Sequence, residues 1–232
     1  MNLGSTGILF LAILPQGLGL SVGGPWIFAV VLVQAVYLTV CAAALRDAAE
    51  SRSVTLAGFC RALGEQWAAG LVLGLVLILL AALLLAATSF YQTVDGFLAW
   101  FAAGSLFWSS ALVLLALQWY PAVRALLPGA PVASLRQCFS LMFDNLGFSV
   151  FLAVYTLAGL VLSAFTAFLI PGIAGAALGY VDALKLLLRK YEWLQANPGS
   201  GRRRIPWADI LAEDMELVGK RTLKGMIFPW KE

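Results

Sequence analysis

Apolar and polar positions follow one another along this chain in blocks too long for an ordinary soluble helix. From Trp67 to Thr88 no charge and no proline interrupts a run dominated by Leu, Ala, Val, Ile and Gly. As a helix rising about 1.5 Å per residue the run measures roughly 33 Å, which matches a hydrocarbon layer about 30 Å thick. Lipid offers no water to the backbone, so such a segment satisfies its own amides and carbonyls as a helix. Comparable blocks cover 26–45, closed by Arg46 and Asp47, then 97–117, ending at Gln118-Trp119-Tyr120-Pro121, and 146–170, broken by Pro171 and Gly172. A less apolar block, 172–191, carries Asp182 and Lys185. A weaker run, 3–22, contains Pro15, Gly17 and Gly19. Its alternative reading is a cleaved signal peptide, but no Lys or Arg precedes the run and no small-x-small site follows it.

The pattern predicts an all-α membrane protein: a six-helix transmembrane bundle of three hairpins with cytoplasmic interfacial helices. Spans at 3–22, 26–45, 67–88, 97–117, 146–170 and 172–191 form a domain over 1–195, followed by a tail over 196–232. Composition agrees, with 62% hydrophobic residues, 12% charged and a mean hydropathy of +0.91.

Placement of the cations adds an orientation. Arg46, Arg52 and Arg61 lie between the second and third blocks, Arg124 and Arg136 between the fourth and fifth, and all other Lys and Arg at or after Lys185. With six spans every basic residue falls on one face, which the positive-inside rule assigns to the cytoplasm together with both termini. The expected location is a bacterial plasma (inner) membrane.

The segments between spans have their own period. Leu56, Phe59, Cys60, Leu63 and Trp67 form an amphipathic helical stripe, and Leu135, Cys138, Phe139, Met142 and Leu146 repeat its spacing. The pair Glu65-Gln66 recurs at the same offset as Asp144-Asn145, so the chain reads as a weak internal repeat of a hairpin and an interfacial helix. A third copy is expected in the tail, where Pro206 opens a stripe of Trp207, Ile210, Leu211 and Val218. Such helices either lie in the headgroup layer and cover the span ends, or present a docking surface for a partner through Phe59, Arg61, Arg136 and Phe139.

In the tail a flexible Asn197-Pro198-Gly199-Ser200-Gly201 linker leads to Arg202, Arg203 and Arg204, and the chain closes near Trp230. Cations beside aromatics suit an anionic inner leaflet, so these residues are expected as a lipid-surface anchor rather than a nucleic-acid site. Within the spans, Asp182 and Lys185 stand one turn apart, either as an ion pair or as a polar site on a substrate path. Gln34, Ser105 and Ser109 either line that path or bond across helices.

Catalysis is not expected. The chain has no histidine, its three cysteines lack metal-ligand spacing, and no carboxylate pair falls within the spans, so neither a metal nor another cofactor is predicted.

The Gly23-Gly24-Pro25 turn, the stretch after Arg46, and the run Gln118-Trp119-Tyr120-Pro121-Ala122-Val123-Arg124 before Met142-Phe143-Asp144-Asn145-Leu146 resemble the YesL-like family of bacterial membrane proteins. The likeness covers roughly 3–193 and does not extend to the tail. It implies an accessory role near a carbohydrate ABC transporter and brings no catalytic residues. The expected function is thus a non-enzymatic accessory or scaffold to a transport or envelope system, contacting a transporter or another membrane protein. The alternative is a small-molecule transporter or channel with Asp182 on the path.

Overall fold

The computed structural model describes residues 2, 6–8, 24–49, 55–91, 93, 96–127, 129–166, 172–198 and 205–212. Among these every regular element is an α-helix: α1 (Gly24–Ala49), α2 (Leu56–Tyr91), α3 (Phe97–Leu117), α4 (Tyr120–Leu126), α5 (Pro131–Asp144), α6 (Leu146–Phe165), α7 (Gly172–Ala196) and α8 (Trp207–Ile210). The chain divides into two compact units, Met1–Leu184 and Lys185–Glu232.

Four stretches are long and apolar enough to cross a membrane: Trp26–Arg46, Leu56–Tyr91, Phe97–Leu126 and Leu146–Phe165. Their outward faces carry large apolar side chains, with Leu79 70%, Trp100 81% and Phe101 65% exposed, which suits lipid as the surrounding solvent. Four of the six expected spans are thus matched among the described residues. The stretch expected at 172–191 is helical, as α7, but it is not one of the four and carries Asp182, Lys185, Arg189 and Lys190. The span expected at 3–22 falls almost wholly outside the described residues.

In the first unit α1 packs along α2, and both touch α4. Gly70 and Gly74 permit the close approach. A Cβ on Gly70 would run into the Val36 backbone, and one on Gly74 would meet Leu32 Cδ2 at 2.8 Å. Below this crossing Val40, Ala44 and Ala62 form a small core with Phe59 against it. Successive spans run antiparallel, so the ends of α1 and α3 and the starts of α2 and α6 gather at one end, called here the arginine end after Arg46, Arg61, Arg124 and Arg136.

The expected first interfacial helix is not a separate element. α2 continues unbroken through 36 residues, about 54 Å, and so extends well past the hydrocarbon layer. Its repeat partner does break. At Asn145 the backbone leaves the helical region (φ −135, ψ 49) between α5 and α6.

At the opposite end α7 begins beside the end of α6. Gly172, at φ +61, donates its N–H to Ser163 Oγ at 2.9 Å, and the Ala174 N–H donates to Asn2 Oδ1 at 3.0 Å. A Cβ on Gly172 would collide with Asn2, so glycine serves here both the left-handed backbone and the close contact.

In the second unit, the Lys190 ammonium lies 5.7 Å from the Tyr191 ring centre. The tail helix expected from Pro206 appears as the four residues of α8, and its continuation to Val218 lies outside the described residues, as do Arg202, Arg203, Arg204 and Trp230.

Candidate functional site

Pro121 sets the geometry of the arginine end. Lacking an N–H, it cannot extend the α3 ladder, and the chain turns at Gln118-Trp119 into α4. This short helix is enclosed, with Tyr120, Ala122 and Val123, and Trp119 just before it, all 0% exposed.

Polar atoms on these residues end on neighbouring helices. The Tyr120 hydroxyl lies 3.2 Å from both Ala69 O on α2 and Pro131 O on α5, sharing one proton between two carbonyls. Arg124 donates from Nε to Gln66 Oε1 at 3.3 Å, and Gln66 Nε2 donates back to Arg124 O at 3.4 Å. Arg124 Nη1 reaches Gly129 O and, at 3.4 Å, Ser134 Oγ on α5. The Trp119 indole N–H donates to Ser149 Oγ at 2.9 Å, and Gln118 Nε2 to Ser149 O at 2.8 Å, both on α6. Ser149 Oγ in turn donates to Asn145 O at 3.0 Å. Rings extend the contact outward, with Trp119 and Phe148 centred 5.9 Å apart and Phe148, Phe151 and Tyr155 stacked in sequence.

The acceptors of Arg124 are neutral oxygens, so the guanidinium here ties backbone and amides together. Burial pushes the Cys138 thiol on α5 up to about 12, which keeps it protonated and unreactive. Chemically, the arrangement is suited to holding α2, α4, α5 and α6 in one fixed relation. The described residues hold no group of three or more His, Cys, Asp or Glu placed to bind a metal.

Of the expected docking residues, Arg61 and Arg136 are exposed, whereas Phe59 and Phe139 are half-buried. Phe59 is engaged within the fold, 6.1 Å from the Tyr37 ring. Ser105 and Ser109 are exposed, and each hydroxyl donates to a carbonyl four residues back on its own helix. Both amide atoms of Gln34 are buried with no partner among the described residues. Asp182 is exposed on α7, and Lys185, in the second unit, is half-buried.

Sequence reasoning did not single out Trp119, Tyr120, Arg124, Ser134 or Ser149 as a site. A signal was present, since an arginine and two aromatics flanking a proline between two apolar blocks have no helical period to explain them. The paired Glu65-Gln66 and Asp144-Asn145 were the nearer clue. In each the acid is exposed and the amide turns inward, Gln66 to Arg124 and Asn145 Nδ2 to Leu141 O. Comparison with protein-family models, curated proteins and solved structures finds no match to the chain.

Proposed function

We propose that this chain is a non-enzymatic accessory or scaffold in the plasma membrane of a bacterium, serving a transport or envelope system through its arginine end. One observation carries the reading. The polar groups of Trp119, Tyr120 and Arg124 are spent on bonds to neighbouring helices, while the cations Arg61 and Arg136 remain exposed on the same end. A braced end that presents charge suits recognition of another protein, and the resemblance to YesL-like proteins points to a carbohydrate ABC transporter as the partner class. The test is co-purification from membranes with wild type, Arg61→Glu and Arg136→Glu. Loss of a membrane-protein partner from the variants, with insertion intact, is expected. An identical set of partners for all three overturns the reading.

The arginine end is assigned to the cytoplasm by the positive-inside rule. Sequence alone placed both termini there, but the contact of Asn2 with the first turn of α7 favours the other face for the N-terminus. α6 starts at the arginine end, α7 starts where α6 finishes, and Asn2 is seated at that start. A tag ahead of Met1 is then removed by external protease from intact spheroplasts, and protection of that tag restores the arrangement with both termini inside.

A second reading, a small-molecule transporter or channel with Asp182 on the path, draws on the buried amide of Gln34, which has no partner among the described residues. Solute flux in proteoliposomes that is abolished by Gln34→Leu and Asp182→Asn supports it, and absence of flux with wild type removes it.

A further inference from the structure

Between the halves of α6 and α7 remote from the arginine end lies a cavity of about 280 Å³, near the lower bound of roughly 300 Å³ for small-molecule sites. Its walls include Thr156, Gly159, Leu160 and Leu162 from α6 and Gly175 and Ala176 from α7. The α6 wall belongs to a helix that is apolar and long enough to cross the membrane, so the cavity sits at hydrocarbon depth.

Three features define what fits there. The walls are hydrocarbon or bare glycine backbone, and the Thr156 hydroxyl already donates to Leu152 O at 2.8 Å. An apolar cavity of this kind does not retain water. The first turn of α7 is also tied to α6, with the Gly172 N–H bonded to Ser163 Oγ, and the neighbouring Ala174 N–H is bonded to Asn2 Oδ1. Finally, the rim opens to lipid through Tyr155 and Leu162, 57% and 59% exposed. An unfilled void forfeits the dispersion contacts of its lining, and the surrounding solvent supplies saturated chains that restore them.

We propose that this groove holds one hydrocarbon chain of a bilayer lipid as a resident ligand, distinct from the exchanging lipid around the other helices. The site depends on the membrane reading and is independent of any partner at the arginine end.

The test uses the full chain in membranes containing a phospholipid with a diazirine midway along one acyl chain. After photolysis, label is expected to concentrate in peptides covering 155–162 and 172–176. Gly159→Leu and, separately, Ala176→Phe fill the groove, and each is expected to reduce that label about tenfold, the factor corresponding to roughly 1.4 kcal/mol of lost binding. Gly104→Leu, on the exposed face of α3 where a Cβ meets nothing within 4 Å, is expected to leave it unchanged. Native mass spectrometry from mild detergent reads the same site independently, with one lipid retained by wild type and none by the filled variants. Label spread evenly over α3 and α6, or retained lipid that survives both fillings, overturns the proposal.

Discussion

The Trp119 indole donates to the Ser149 hydroxyl at 2.9 Å, joining the turn after α3 to the first turn of α6 across thirty residues of chain. Both residues are 0% exposed, so neither has water as a substitute partner. Ser149→Ala leaves the indole N–H unpaired and is expected to destabilise the protein by about 1–2 kcal/mol. Trp119→Phe combined with Ser149→Ala should lose less than the two singles added together. Thermal unfolding in detergent of the four proteins closes this cycle, and strict additivity contradicts the bond.

Arg124 and Arg136 make a matched pair of opposite kinds. The first bonds Gln66, Gly129 and Ser134, whereas the second is exposed. Arg124→Ala is expected to loosen the connection between α4 and α5 and to make it susceptible to limited proteolysis near Gly129. Arg136→Ala should leave the cleavage pattern as in wild type.

Glycine substitutions should divide by location. Gly70→Ala places a methyl against the Val36 backbone and is expected to cost about 1–3 kcal/mol through overpacking. Gly104→Ala meets open space on a helix and should be neutral or stabilising by up to about 1 kcal/mol. Equal effects at the two sites, measured as shifts in unfolding midpoint, would contradict the α1–α2 contact.

Gln34→Leu removes two buried polar atoms that have no partner among the described residues, in favour of an apolar side chain of similar size. A gain of about 1–3 kcal/mol is expected, the usual penalty for an unsatisfied buried group. A loss of stability of that size would mean the amide is bonded in the folded protein.

Thiol chemistry separates the three cysteines. Cys60 is exposed on α2, while Cys41 and Cys138 are buried. Burial also raises the Cys138 pKa to about 12, so its neutral thiol persists from pH 7 through 9 and gains no reactivity over that interval. Maleimide is expected to modify Cys60 in the native protein and all three after unfolding. Native labelling of Cys138 at pH 7 would refute the placement of α5.

Some of this protein follows from local order in the chain alone. Long uncharged runs commit 67–88 and 97–117 to helices in lipid, because the backbone has no other way to meet its hydrogen bonds there, and Pro121 stops α3 because it has no amide to offer. The arginines mark one end by the same local logic. Partner choice is a different matter, because a helical stripe shows which side chains share a face and not what that face meets. Leu56, Phe59, Cys60, Leu63 and Trp67 read as one stripe, yet α1 covers Phe59 and leaves Leu56, Cys60, Leu63 and Trp67 exposed or nearly so. Likewise, two copies of one repeat become an unbroken helix through Gln66 and a broken one at Asn145, since Gln66 is drawn to Arg124 while the Asn145 side chain bonds back to Leu141. The meeting of Asn2 with Ala174 spans 172 positions of the chain, and only tertiary packing brings those residues together, because no periodicity relates positions so far apart.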